Sequence, residues 1–378
     1  MEMTRSDTLP EDVVEDILSR LPVKPLKRFE CVSSWWCALI QSPTFIAHHL
    51  RRSRQSITNS YLLVQRKDLI TRNSVLSLIP DGDGSGSDDH EALVDVPAGN
   101  LFSPIFNEEQ NFYLSGTCVN GIVCLYNRGQ GTKVVLWNPA VREFQVLPER
   151  PIDCPPEADY DIEGLGFGYD PKADDYKVVR MVYLWQCPGP DIPPLTEVYS
   201  LRTNSWRKIN PIQNYANCLN STDSEIYLRG ACHWWIGRSM LAFDMSDEEF
   251  RLIRLPNRDG LWDYKIKKSM AVLSDSIALI VRLAEGMEKS FDIWVMREYG
   301  VEESWTKQFK IGPVLGVDRP LGFAKNGQLL LVDDNGHLVS LDFNGKEIKF
   351  LHVKGIPQLF RVTNVVPSLI SVQDERLV

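Results

Sequence analysis

The feature that most constrains this chain is a pair of large residues, seven apart, that recurs along most of its length. Trp137 is followed by Phe144 in LWNPAVREF, Tyr199 by Trp206 in VYSLRTNSW, Phe243 by Phe250 in AFDMSDEEF, and Leu341 by Ile348 in SLDFNGKEI. A short polar stretch lies between the two, so each unit reads as a strand, a turn and a return strand closed by its second large residue. In IWVMREYGVEESW the spacing widens, and Trp294 and Trp305 are expected to pair across a longer hairpin. The closing positions 144, 206, 250, 305 and 348 follow one another at intervals of 62, 44, 55 and 43 residues. Repeats of that period bury their faces on neighbouring copies, as solenoids and propellers do.

Two further segments fit this scheme. YLLVQRKDLITRNSVLSLI (61–79) has strand-like runs for another unit, and FRVTNVVPSLISV (360–372) can lend a strand that closes a ring. The expected fold is mainly β: a propeller of about six blades over 61–378, with five or seven also compatible with the spacing, behind a small helical N-terminal domain.

That helical domain occupies 1–50, and the basic stretch RRSRQS marks a linker at 51–60. Thr8-Leu9-Pro10-Glu11 has the form of a capping box, with Pro10 in the first turn. Val13, Val14, Ile17, Leu18 and Leu21 line one helical stripe, and Pro22 stops it. Pro25 can open a second helix carrying Leu26, Phe29 and Val32. A third holds Trp36, Leu39 and Ile40, and Ser42-Pro43 starts a fourth. So few residues cannot bury all these apolar faces among themselves, and Leu9, Pro10, Leu21, Pro22 and Leu26 stand at turns where cover is least available.

The string Leu9-Pro10-x-Asp12, Ile17-Leu18-x-x-Leu21-Pro22-x-x-x-Leu26, Cys31-Val32, Trp36-x-x-Leu39-Ile40 resembles an F-box. The resemblance implies docking on the Skp adaptor of a cullin-based ubiquitin ligase through Leu9, Pro10, Ile17, Leu18, Leu21, Pro22, Leu26, Val32, Trp36 and Leu39. F-boxes of this plant type usually carry a basic residue and Ser before the tryptophan, where this chain has Ser34 and Trp35. Trp35 is expected to pack on the following domain rather than touch the adaptor. Downstream, NGIVCLYN, WNPAVREFQVLP, GLGFGYDPKADDYKVVRMV and GFAKNGQLLLV are similar to the plant F-box-associated domain, which is kelch-like. FDIWVMREYGVEESW and LGFGYDPKADDYKVVR most resemble S-locus F-box proteins and their relatives. In true S-locus members this implies a pollen protein that marks stigma S-RNases for ubiquitination in self-incompatibility.

Other chemistry is weaker. Asp81-x-Asp83-x-Ser85-Gly86 copies the start of a calcium loop, but the twelfth position is Ala92. Gly164-x-Gly166-x-Gly168 lacks the helix a dinucleotide fingerprint needs and reads as close strand packing or a bend. Cys232-His233 and His48-His49 are too close in sequence to chelate from one face. No metal site, cofactor or catalytic set is expected. A kelch-type propeller enzyme, an oxidase or glycosidase with a helical appendage, is the alternative reading.

Candidate target contacts lie in three loops: Asp153, Asp159, Tyr160 and Asp161 in DCPPEADYDIE, Trp185 in WQCPGPDIPP, and Trp262 in RDGLWDYK. Acids beside aromatics fit a basic protein target. The net charge of −9 argues against nucleic-acid binding, and no apolar run approaches the length of a membrane span. The N-terminus lacks the apolar core of a secretory signal. The eight cysteines form no framework, so a cytoplasmic or nuclear protein with reduced, mostly buried thiols is expected.

Overall fold

In the computed structural model, four α-helices precede 24 strands in six four-stranded sheets among the described residues. The structure describes residues 9–56, 60–80, 94–97, 105–106, 112–128, 132–150, 152, 159–185, 195–210, 225–257, 261–262, 266–285, 288–343 and 347–373. The calcium-like loop lies outside them. No helix among these residues is long and apolar enough to cross a membrane.

The helices are α1 (Glu11–Ser19), α2 (Val23–Phe29), α3 (Ser34–Ile40) and α4 (Pro43–Gln55). Pro10, not Thr8, is the N-cap of α1, and it offers no side-chain bond. Its carbonyl accepts from Val13 and Val14 N–H instead, while Thr8 lies outside the described residues. The α2 helix starts two residues before Pro25, at Val23. Ser33 Oγ accepts from Trp36 N–H and Ser42 Oγ from Phe45 N–H, so both serines cap as their type favours. The segment 51–60 is helical through Gln55 rather than an extended linker.

The first blade combines β1 (Tyr61–Lys67), β2 (Ser74–Pro80) and β3 (Val94–Pro97) with the last strand, β24 (Arg361–Val365). Tyr61 pairs with Val365 and Gln65 with Arg361, so the chain's two ends close the ring. The second blade holds β4 (Phe112–Leu114), β5 (Val123–Asn127), β6 (Val134–Asn138) and β7 (Glu143–Val146). The third holds β8 (Asp159–Asp170), β9 (Asp175–Trp185), β10 (Leu195–Ser200) and β11 (Ser205–Ile209). The fourth contains β12 (Ile226–Leu228), β13 (Ala231–Ile236), β14 (Ser239–Asp244) and β15 (Phe250–Arg254). The fifth contains β16 (Lys267–Leu273), β17 (Ser276–Glu285), β18 (Glu288–Met296) and β19 (Trp305–Leu315). The sixth contains β20 (Val317–Phe323), β21 (Leu329–Asp333), β22 (His337–Leu341) and β23 (Ile348–Lys354).

The seven-residue pairs are the outer hairpins of these blades. Trp137 faces Phe144, Tyr199 faces Trp206, Phe243 faces Phe250 and Leu341 faces Ile348. In three of the four, the polar residue after the opening position caps the turn: Asn138 Oδ1 accepts from Ala140 N–H, Ser200 Oγ from Thr203 N–H and Asp244 Oδ1 from Ser246 N–H. Arg142, Asn204 and Glu248 then take left-handed backbone at equivalent places to reverse the chain.

Trp305 corrects the expected pairing: it faces Met296, and Trp294 faces Lys307. The connection from β18 to β19 runs over 297–304, so the hairpin closes at Met296 and Trp305, two residues beyond Trp294. Trp305 donates from Nε1 to the Arg254 carbonyl at 3.2 Å, tying the fifth blade to the fourth. Trp206 does the same toward Pro148, at 2.9 Å.

The Gly164–Gly168 run marks packing between blades. A Cβ on Gly166 would sit 2.6 Å from the Trp234 ring, and one on Gly168 2.6 Å from Tyr227. His233 is buried, with Nε2 2.7 Å from the Tyr299 hydroxyl. Burial depresses its pKa to about 4. Among the described cysteines, Cys124 and Cys232 are buried, Cys37 and Cys118 half-buried, and Cys31 is exposed.

Candidate adaptor- and target-binding surfaces

The helical domain divides its apolar residues between an interior and an open face. Leu18 and Leu26, both expected as docking residues, are buried with Val23, Ile40 and Phe45. Leu21, Trp36 and Leu39 pack half-buried against that cluster, with Trp36 edge-on to Phe29 at 5.3 Å. These five hold the domain's shape. Leu9 (61% exposed), Ile17 (46%) and Val32 remain open to solvent, beside exposed Pro10 and Pro22. Val13, which the docking set omits, is exposed between Leu9 and Ile17 at helical spacing. The sequence signal for it was the i, i+4 stripe.

The opposite side of the domain meets the propeller. Phe45 and Ile46 join one cluster with Leu369, Ala140 and Val141, as their place on α4 predicts. Trp35 is 38% exposed and is not among the residues of this cluster. Lys325 Nζ donates to the Ser53 and Ser56 carbonyls at 3.3 and 2.5 Å. Arg54 donates to Asn120 Oδ1. Asn138 Nδ2 reaches Ser368 O and Ile370 O at 3.2 and 2.7 Å, fastening the segment after β24 beneath the helices.

Strand order then assigns the two faces of the ring. First strands lie innermost, since β16 touches β20 and β12, β12 touches β8, and β20 touches β24. Antiparallel strands alternate direction, so first-to-second and third-to-fourth turns share one face. Asn120, Lys325, Ala140 and Val141 belong to those turns, so that face carries the helices. Second-to-third turns and crossings between blades form the distal face. All three expected target loops lie in connections of this second kind.

The individual residues fare less evenly. Asp153 lies outside the described residues. Asp159 faces Trp185 at the distal end of the paired β8 and β9, and their side chains are outside the described set. Tyr160 packs half-buried on the core shared by the second and third blades. Asp161 Oδ1 accepts from Ile162 N–H at 2.8 Å, a local cap. Trp262 lies against Trp235 with ring centres 5.9 Å apart and donates to the Pro256 carbonyl at 3.0 Å. Tyr160 and Trp262 thus serve packing first, because their rings find apolar cover within the chain.

What the sequence does not reveal is the lining of a cavity of about 1030 Å³ that is bounded by inner strands and reaches between the fifth and sixth blades. Lys267, Lys268, Arg282, Arg319 and Arg361 line it toward the distal face, and Arg54 and Lys325 toward the helices. The carboxylates among its described lining residues are Glu225 and Asp275. Glu225 is buried, with Ser115 Oγ and the Tyr126 hydroxyl donating to it at 3.2 and 3.3 Å. Burial pushes its pKa up to about 7, against the pull of Arg361 and these hydrogen bonds. In a chain of net charge −9, cations thus outnumber carboxylates among the described lining residues of this cavity. Apart from the adjacent Lys267 and Lys268 on β16, each cation comes from a different element, so no long run of sequence announces the set. Among the described residues no three His, Cys, Asp or Glu side chains converge as a metal site.

Comparison with known proteins matches these two parts separately. Residues 7–48 match the F-box domain, and residues 96–372 the F-box associated beta propeller domain. The F-box protein CPR1 of Arabidopsis thaliana is 29% identical over 96% of this chain and 89% of its own length. An F-box/kelch-repeat protein of the same plant is 26% identical over 88% of this chain and 87% of its own. Among solved structures, TolB from Acinetobacter baumannii aligns with a TM-score of 0.46 and 11% identity, over 86% of this chain and 73% of that one. Likeness at that level says nothing about function. With helices that match the F-box and a six-bladed ring that matches its associated propeller, the chain belongs to the family of F-box proteins carrying an F-box-associated β-propeller.

Proposed function

We propose that this protein is a substrate receptor of a Skp–cullin–F-box ubiquitin ligase, acting in the cytoplasm and nucleus. Its helical domain docks on the Skp adaptor, and its propeller presents a protein target. The observation that carries this reading is that the apolar side chains of Leu9, Val13, Ile17 and Val32 stay exposed on a helical domain whose α4 is fastened to the propeller. An apolar patch of this kind needs a partner, and the F-box match names the class of partner. Catalysis of ubiquitin transfer belongs to other subunits. This chain contributes proximity, since tethering raises the effective concentration of target lysines near the charged conjugating enzyme.

The finer reading, an S-RNase target in self-incompatibility, rests on the resemblance of FDIWVMREYGVEESW and LGFGYDPKADDYKVVR alone. Co-expression with a Skp adaptor and pull-down tests the receptor reading. Wild-type protein retains the adaptor and a Leu9→Asp/Ile17→Asp variant loses it. Equal retention by both would remove the assignment.

A further inference from the structure

Trp35 stands in the first turn of α3, two residues after the N-cap Ser33. Its side chain is 38% exposed, whereas every other tryptophan whose side chain is described is buried or half-buried. Those others are tied down within the chain. Trp206, Trp234 and Trp305 donate from Nε1 to backbone carbonyls of a neighbouring blade, and Trp36 packs edge-on to Phe29. Among the described residues no hydrogen bond or ring contact engages the Trp35 indole.

The positions around Trp35 are ones already assigned to the adaptor. Val32, 61% exposed, lies three residues earlier across the N-cap, at most about 11 Å away along the chain. Leu39 lies four residues later, so it shares the side of α3 that carries Trp35. Ala38, three residues later, is exposed and too small to screen that side. Val32, Trp36 and Leu39 all belong to the docking set implied by the F-box match. The open indole is therefore continuous with docking positions both before and after it.

We propose that Trp35 is a further contact with the Skp adaptor, its ring resting on an apolar patch of that protein. Its Nε1–H donates there to a carbonyl or carboxylate oxygen. The proposal deepens the receptor reading and rests on it. A tryptophan brings about 150–250 Å² of largely apolar surface together with one N–H donor. Covering that surface releases water at little cost in side-chain freedom, which is why tryptophan is enriched among the residues that dominate binding energy. The two adjacent rings then differ in what they hold: Trp36 the domain's interior through Phe29, and Trp35 the partner.

The test uses the full chain and a plant Skp adaptor in two measurements. Hydroxyl-radical labelling of the wild-type chain, read at Trp35 by fragment mass spectrometry, should fall about fivefold when the adaptor is bound. In titrations, Trp35→Ala should weaken adaptor binding about tenfold and Trp35→Phe, which keeps most of the apolar surface, about threefold. Both variants should melt as wild type does. Labelling of Trp35 that the adaptor leaves unchanged, or wild-type affinity in Trp35→Ala, would overturn the proposal. So would a Trp35→Ala chain that melts earlier yet binds normally, since its ring would then serve packing inside the chain. The labelling needs no variant and so is independent of folding. A wild-type chain that fails to bind the adaptor strikes the receptor reading; one that binds it with Trp35 still fully labelled strikes this inference alone.

Discussion

Lys325, in the turn between β20 and β21, donates to the Ser56 carbonyl at 2.5 Å and so pins the last turn of α4 against the sixth blade. A charged donor on an orphan helix-end carbonyl is among the stronger single hydrogen bonds. It fixes the direction in which the adaptor-facing helices point relative to the ring. Lys325→Ala should therefore raise amide hydrogen exchange across 43–56 while the propeller strands stay protected. The expected loss of stability is about 1–2 kcal/mol. Unchanged exchange in α4 would show that Phe45 and Leu369 hold the junction alone.

The division of the F-box residues predicts two kinds of variant. Leu18→Ala and Leu26→Ala remove fully buried side chains and should cost about 2–5 kcal/mol each. Ile17→Asp should leave the melting temperature unchanged and weaken adaptor binding by about tenfold or more. Calorimetric melting and adaptor titration on the same preparations separate the two. A stability loss from Ile17→Asp as large as that from Leu18→Ala would contradict the division.

Trp35 and Trp36 are neighbours with opposite roles. Trp36→Ala removes the edge-on contact with Phe29 and should cost about 3 kcal/mol. Trp35→Ala, at an exposed site outside the junction cluster, should change stability by less than about 1 kcal/mol. Denaturant midpoints at fixed m-value provide the comparison.

Gly166→Ala tests the contact between the third and fourth blades. The new methyl would lie 2.6 Å from the Trp234 ring and 2.8 Å from Cys232 Sγ. Overpacking of this kind costs about 1–3 kcal/mol. The same substitution at Gly237, where nothing lies within 4 Å, fails only through its left-handed backbone, with φ of 55°. Thermal melts of both variants should show the larger loss at Gly166.

Two buried groups give stability opposing pH dependences. The Glu225 carboxyl, raised from 4.5 to about 7, binds its proton more tightly folded than unfolded. Its contribution is complete below 4.5 and is lost as pH rises to 7. His233, depressed from 6.5 to about 4, contributes fully above 6.5 and loses that contribution as pH falls to 4. At one pKa unit per 1.36 kcal/mol, each amounts to about 3 kcal/mol at most. Glu225→Gln should therefore make the protein gain stability between pH 5 and 7, where wild type stays nearly flat. Urea titrations at pH 5, 6 and 7 decide it.

The repeat was legible because hairpin closure needs two large residues opposite each other, with a capping side chain between. Trp137 with Phe144, Asn138 with its cap, and Ser42-Pro43 at the start of α4 are all local relations along the chain. Trp294 and Trp305 escaped the rule because their hairpin closes at Met296, two residues beyond Trp294, around a longer connection whose closing point the spacing alone does not fix. Leu18, Leu26, Tyr160 and Trp262 looked like contacts in sequence. Whether an apolar side chain is covered depends on residues far from it in the chain.

The sequence by itself determined the two architectures and their order, since turn chemistry and hydrophobic period act over a few residues. Only the tertiary structure decided which apolar residues of the helices stay open, which face of the ring carries the helices, and which charged residues from separate blades come to line one cavity. Those properties arise when inner strands and turns from six blades converge on one axis, and charge there adds up across space rather than along the chain.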